Sequence, residues 1–199
     1  MKRAFDAALA LAGLAVSLPL WILFGAAIKI EDGGPIFFVQ DRVGQDGRVF
    51  HALKFRSMHV DAERATGPLQ ARAGDRRVTR IGRVMRATAM DELPQLWNIF
   101  RGDMSFVGPR ALRPGEIELE GGTAVPLETV PGYTERILVR PGLTGVAQVY
   151  AARDISRRSK FRYDRLYIRR QSFTLDVRLI LLSFWISFRG TWESRDRKY

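Results

Sequence analysis

Residues 7–28 read AALALAGLAVSLPLWILFGAAI, an apolar run without a single charge. Its length is close to the roughly 20 residues that cross the hydrocarbon of a bilayer. Pro19 stands in its middle. Proline lacks the amide hydrogen of a helical bond and collides with the preceding turn, so a helix is expected to break near Ser17-Leu18-Pro19. The Ser17 hydroxyl is placed to satisfy part of the disturbed backbone. Lys2 and Arg3 precede the run, and every other lysine and arginine follows it. The positive-inside tendency then asks for both flanks on the cytoplasmic side, although charges within a folded domain count weakly. A segment that enters the membrane and turns back meets that demand; a kinked but ordinary transmembrane helix is the alternative. The basic start is shared with secretory signals, but the apolar run is longer than their usual core, which favours a retained segment.

The 199 residues suit one modest domain plus a membrane element. We divide them into a membrane segment (1–30), a body (31–190) and a charged tail (191–199). The net charge of +11 fits a surface for nucleic acid, anionic lipid or a phosphorylated substrate. Cysteine is absent, which excludes a disulfide framework, a thiol nucleophile and a cysteine metal site. His51 and His59 are the only histidines, so a zinc centre would need several carboxylates besides.

In the body, residues 35–40 and 49–58 read as two strands around the Asp46-Gly47 turn signal. Residues 59–75 are polar and read as a surface excursion. Residues 76–86 carry Val78, Ile81, Val84 and Met85 at helical spacing among five arginines, the pattern of an amphipathic helix. Residues 106–110 read as a strand or buried turn. Ser156 is the expected cap of a helix through Arg170, and Thr174 of a last helix. The apolar stretch 179–188, LILLSFWISF, is short for a span and reads as buried or lying at the membrane interface. Asp164, an acid in a basic run, has Lys160 or Arg165 as local partners, and Asp6 a nearby base.

Asp91-Glu92-Leu93-Pro94-Gln95 is the central constellation. Asp91 reads as a helix cap, with Pro94 in the first turn, where proline is tolerated, and Arg101-Gly102 as the end. Leu93, Leu96, Trp97 and Phe100 share one face. On local grounds alone the acidic pair need do no more than stabilise a helix start. Downstream, Gly108-Pro109-Arg110 and Arg140-Pro141-Gly142 each set an arginine beside a tight turn, an arrangement that suits phosphate oxygens. Neither is a Walker loop.

Taken in order, these motifs resemble those of the bacterial sugar transferases, the small monotopic phosphoglycosyl transferases that act on polyprenyl phosphate. The likeness rests on the proline-broken start, on Lys54-Phe55-Arg56, on Asp91-Glu92-Leu93-Pro94-Gln95 and on Gly102 through Arg110. Arg140-Pro141-Gly142-Leu143-Thr144-Gly145 and Phe161-Arg162-Tyr163-Asp164 complete it. The resemblance implies a mixed α/β body with an N-terminal re-entrant helix and interfacial amphipathic helices, seated on the cytoplasmic face of the bacterial inner membrane. It implies transfer of a sugar-1-phosphate from a UDP-sugar to polyprenyl phosphate, such as undecaprenyl phosphate, with release of UMP. Asp91 is then the nucleophile that forms a phosphosugar-aspartyl intermediate, with Glu92 beside it. Lys54, Arg86, Arg110 and Arg140 become the phosphate contacts and Asp164 a second-tier substrate or network acid; Asp103 is expected to hold a turn. Mg²⁺ is the implied cofactor, with Asp91 as its ligand. Membrane lipid is an implied partner, nucleic acid is not, and a homodimer is left open. The chain departs from common versions at Ala111, at Val146 and at Tyr150-Ala151-Ala152-Arg153, the last near the expected donor sugar. Larger members carry further transmembrane helices and another domain before this unit, and neither is expected here. The rival readings are a transferase for a different phosphorylated lipid, a non-catalytic membrane scaffold and, more weakly, a nucleic-acid binder.

Overall fold

A computed structural model describes residues 1–62, 75–120, 123–152 and 155–192. The tail from 193 on, most of the expected excursion (63–74) and Arg153 lie outside the described residues.

The apolar run forms one helix, α1 (Lys2–Asp32), with Pro19 inside it. The expected break in the helix is therefore corrected. One missing amide leaves the hydrogen bonds on either side in place. Ser17 donates to the Leu14 carbonyl at 3.3 Å and accepts from the Trp21 indole at 3.1 Å, which ties the turns around Pro19 together. Only 17% of the most apolar stretch of α1 is buried. A core helix of a water-soluble domain would bury most of such a stretch, so α1 has the length and exposed apolar surface of a membrane element.

The body is a small mixed α/β assembly. β1 (Phe37–Val43) and β2 (Val49–Phe55) form the expected hairpin, antiparallel with Phe37 opposite Phe55 and Val43 opposite Val49. β2 stops three residues short of the expected end, and Met58 instead bridges to Val78. That bridge takes Val78 out of the expected helix. The helix, α2 (Arg80–Ala87), starts where the Thr79 side chain accepts from the Gly82 amide.

The acidic pair lies in a 3-10 turn at 90–92, and α3 (Gln95–Arg101) follows with Pro94 before it. Asp91 is thus not the helix cap that the sequence suggested. Gly102 ends α3 at a φ of 97°, as expected of a left-handed stop. β3 (Ser105–Val107) pairs in parallel with β6 (Gly142–Thr144), and β4 (Ile117–Glu120) pairs antiparallel with β5 (Thr123–Pro126). The short helices α4 (Tyr133–Ile137) and α5 (Val146–Tyr150) flank β6. Ser156 caps α6 (Arg157–Arg170), as expected. Ser172, not Thr174, caps α7 (Phe173–Arg189), accepting from the Leu175 amide at 3.2 Å.

Among the described residues, three apolar clusters organise the body; α1 contributes to two of them, and the third joins Leu112, Leu127, Val130 and Phe161. Ala10 joins Ile99, Met104, Val107, Tyr167, Leu179 and Ile186. Phe24 and Ile28 join Phe55 and Met85, where Trp21, Phe24 and Phe37 ring Phe55 at 5.5–5.9 Å. α7 is two-faced. Leu179, Ile180 and Ile186 are buried, whereas Leu181, Phe184, Trp185 and Phe188 are exposed, as are Leu11, Val16, Leu18, Ile22 and Leu23 of α1.

Gly82 lets α2 approach the end of β2. A Cβ there would lie 2.0 Å from the Ser57 carbonyl oxygen. Backbone cannot yield as a flexible side chain does, so Gly82→Ala is expected to destabilise by about 1–3 kcal/mol. A thermal melt should show this as a lowered Tm.

Candidate active site

Three elements converge on the acidic pair. β2 presents Lys54, the 3-10 turn presents Asp91 and Glu92, and the turn after β3 presents Arg110. The buried Asn98 ties β2 to α3, the helix that follows the acidic turn. Its side-chain oxygen accepts from the Leu53 amide at 3.0 Å, and its amide donates to the His51 carbonyl at 2.8 Å and to Asp103 at 3.2 Å. Asp103 therefore holds the turn after α3, as its sequence setting suggested.

The two neighbouring carboxylates are in unlike settings. Glu92 Oε1 accepts from both Lys54 Nζ and, at 3.2 Å, Arg110. Burial alone would raise its pKa, but Lys54 first and Arg110 next override that and hold it at about 2. Asp91 accepts no hydrogen bond from the described residues. Burial is the main cause that lifts its carboxyl from 3.8 to about 6; Lys54 opposes the rise, the Glu92 charge adds to it, and Arg86 and Arg110 oppose it. The site thus holds one fixed, ionised carboxylate and one that accepts no hydrogen bond from the described residues and whose charge burial disfavours.

The cations around this pair differ from those the sequence indicated, with Arg42 joining and Arg140 standing apart. Lys54 is itself pushed down by burial, with Glu92 acting against that push. The Glu92 charge raises Arg110, which is half exposed and so partly screened by water. Arg42, absent from the sequence candidates, donates to the Ala111 carbonyl at 2.9 Å; burial, then Arg110 and Arg113, bring it down to about 10. Its place in β1 next to an ordinary turn offered no local signal.

Arg140 and Asp164 stand elsewhere. Arg140 donates to the Gly102 carbonyl at 3.0 Å and lines a cavity of about 160 Å³ with Lys2, Asp6, Ser105 and Tyr167. Asp164 is buried against Arg136, whose Nε donates to it at 3.2 Å, while another Arg136 nitrogen donates to the Arg110 carbonyl at 2.5 Å. Neither Lys160 nor Arg165 is the partner, because the buried guanidinium of Arg136 competes from α4. Among the described residues, Asp164 is linked to Glu92 through Arg136 and Arg110. Asp6 likewise takes the Ser105 hydroxyl at 2.8 Å and the Phe106 amide at 3.3 Å rather than a base.

No group of three His, Cys, Asp or Glu side chains occurs among the described residues. A hard cation that binds with substrate phosphates needs only one or two carboxylates. Asp91, together with Glu92 Oε2, which has no partner among the described residues, offers such oxygens. The residues present therefore fit an ion that is shared with a diphosphate.

The bacterial sugar transferase family model matches residues 1–190. The exopolysaccharide production protein PSS of Rhizobium leguminosarum bv. phaseoli is 37% identical over 185 residues, covering 90% of this chain and 91% of that protein. The undecaprenyl-phosphate glucose phosphotransferase of Komagataeibacter xylinus is 40% identical over 189 residues. The UDP-N-acetylgalactosamine-undecaprenyl-phosphate N-acetylgalactosaminephosphotransferase of Aeromonas hydrophila is 39% identical over 183 residues. The chain is covered to 92% and 90% in these two matches but spans only 35% and 42% of those longer relatives. The family match takes in α1, the hairpin, the acidic turn and α7 in one stretch, and the chain belongs to the bacterial sugar transferase family.

Proposed function

We propose that this chain is a membrane-bound enzyme that transfers a sugar-1-phosphate from a UDP-sugar to polyprenyl phosphate. The observation that carries the reading is the contrast within the acidic turn. Glu92 is held by two cations, while its neighbour Asp91 is buried, accepts no hydrogen bond from the described residues and lies in the field of Lys54, Arg86 and Arg110. A nucleophile needs a free oxygen, and its phosphate target needs positive charge around it. The names of the relatives support the substrate classes.

In the proposed reaction an Asp91 oxygen attacks the sugar-bearing phosphorus of the donor. The bond from that phosphorus to UMP breaks, and UMP leaves with the electron pair. An oxygen of polyprenyl phosphate then attacks the same phosphorus. The aspartyl–phosphorus bond breaks, Asp91 returns as a carboxylate and the polyprenyl-diphosphate-sugar is released. Lys54, Arg86 and Arg110 bind and orient phosphate oxygens, and Glu92 keeps Lys54 and Arg110 in place. Asp91 and Glu92 Oε2 would hold Mg²⁺, which when bound neutralises charge on the donor diphosphate.

The acceptor is a lipid, and the exposed apolar faces of α1 and α7 supply a seat for the body at the membrane surface. α1 touches the body at both ends: Arg3 donates to the Ile99 carbonyl at 2.6 Å, and Glu31 accepts from two amides of α2. A 31-residue helix extends roughly 46 Å, well beyond a hydrocarbon core of about 30 Å. A straight crossing would drag polar groups attached to one of its ends through lipid. Contacts at both ends thus support a re-entrant, monotopic seat, with the turn taken as a kink at Pro19 inside the continuous helix, and the basic flanks favour the cytoplasmic face of the bacterial inner membrane. Labels at the two termini should react from the same side of the membrane; opposite sides would reject that topology.

The deciding assay for the function uses the purified protein in lipid with Mg²⁺, undecaprenyl phosphate and a panel of UDP-sugars. UMP should appear in step with a lipid-linked sugar for at least one donor. Donor turnover without lipid product would reject the acceptor, and silence with every donor would reject the enzyme reading. Because Asp91 must be ionised to attack, kcat/KM should fall as pH drops through about 6. A profile that stays flat well below pH 6 would contradict the role assigned to Asp91.

A further inference from the structure

Beyond the side chains that face the acidic pair, the last turn of α1 carries two acids that grip the elements bearing the catalytic cations. Glu31 Oε1 accepts from the Arg80 amide at 2.5 Å and Glu31 Oε2 from the Ile81 amide at 3.0 Å. The Thr79 hydroxyl takes the next amide, that of Gly82, at 2.9 Å. Three donors that α2 cannot satisfy internally are therefore met, two of them from α1. α2 is the helix that carries Arg86. Asp32 pairs with Arg56, one residue beyond β2 and two beyond Lys54. The Arg56 amide also donates to the Ile36 carbonyl at 2.8 Å. This pair is largely buried, and Arg56 Nε, Arg56 Nη1 and Asp32 Oδ2 find no hydrogen-bond partner among the described residues, although His59 Nδ1 comes within 3.7 Å of Asp32 Oδ2.

We propose that Glu31 and Asp32 are positioning residues that set Arg86 and Lys54 against Asp91, so that the seating of α1 is coupled to the geometry of the phosphate site. This inference rests on the transfer reaction proposed above. Its logic is that cations must sit within a fraction of an ångström of their working positions, and a displacement of about 1 Å can cost on the order of a hundredfold in rate. Glu31 is the sharper probe. α2 keeps its Thr79 cap, its Met85 anchor among Phe24, Ile28 and Phe55, and its Gly82 seat without it. Asp32 is less forgiving, because its removal leaves the Arg56 charge buried and unpaired.

The test compares Glu31→Ala, Glu31→Gln and Asp32→Asn with wild type, as full chains in lipid with the UDP-sugar that wild type turns over. Glu31→Ala should lower kcat/KM about tenfold to a hundredfold. Glu31→Gln, which retains an accepting oxygen, should fall between Ala and wild type. Hydrogen exchange of the same proteins should quicken at Arg80 and Ile81 and spread to residues 86–92. Wild-type kcat/KM in Glu31→Ala would overturn the proposal, as would a loss of activity that follows only the folded fraction. If wild type turns over no UDP-sugar, the transfer reading fails by itself. Exchange then decides the positioning role: faster exchange reaching residues 86–92 supports it, and a change confined to Arg80 and Ile81 overturns it.

Discussion

Asp91→Asn should lower sugar-phosphate transfer by more than about a thousandfold while leaving the protein folded. The amide matches the carboxylate in shape, so packing around the 3-10 turn at 90–92 is kept. What is lost is the oxygen that attacks phosphorus, because an amide oxygen is a poor nucleophile. The stability change has a definite sign. The folded-state pKa of Asp91 lies above its ordinary value of 3.8, at about 6, so the folded protein disfavours the charged form. That penalty is absent in acid, grows as pH rises from 3.8 to 6 and is complete above. The Asn variant should therefore melt no lower than wild type at pH 7. Glu92→Gln should behave differently. It removes the anion shared by Lys54 and Arg110 and should cost both activity and stability, since two buried or half-buried cations lose their partner.

Asp164→Ala should cost about 3–5 kcal/mol of stability, because it strands the buried Arg136 charge. Burial pushes the Asp164 carboxyl up and the Arg136 guanidinium down, and their mutual attraction opposes both shifts. Arg136 also lies over the Phe161 ring at 4.5 Å and donates to the Arg110 carbonyl. Its loss of register should slacken the turn that presents Arg110 to Glu92. A chemical denaturation series would show the loss directly. A side chain that binds substrate without supporting the fold would instead raise KM and leave the melt unchanged, so the two roles implied for Asp164 separate cleanly. Arg136→Met, which removes the guanidinium but fills apolar space, should leave Asp164 free to take up a proton and so cost less than Asp164→Ala.

Much of this site is legible in the chain, and the exceptions have physical causes. The hairpin follows from Asp46-Gly47 between two apolar runs, and Asp46 and Gly47 both adopt positive φ there. The Ser156 and Gly102 helix ends follow from local chemistry. Thr174 misleads because Ser172 offers the same hydroxyl two residues earlier, with Gln171 before it in extended backbone. α2 starts later than its apolar pattern predicts because Val78 fits a helical stripe yet is claimed by Met58, a tertiary partner. Asp91 and Glu92 stand out as an acidic pair, but their division of labour depends on Lys54 and Arg110, which are 38 and 18 residues from Glu92. Arg136, Glu31 and Asp32 carry no motif. Their roles come from pairings across 28, 49 and 24 residues that periodicity and caps do not encode. Asn98 alone leaves a trace, as an amide between the apolar pairs Leu96-Trp97 and Ile99-Phe100.

The account turns on a covalent bond to one carboxylate, and intact-protein mass spectrometry reads that bond. Wild type is incubated with Mg²⁺ and a panel of UDP-sugars in the absence of any lipid acceptor, then weighed and digested. The account predicts a mass increase of one sugar phosphate with a productive donor, mapped to Asp91, absent in Asp91→Asn and discharged by undecaprenyl phosphate. Transfer to lipid with no adduct on the wild-type chain, or an undiminished adduct in Asp91→Asn, would contradict it.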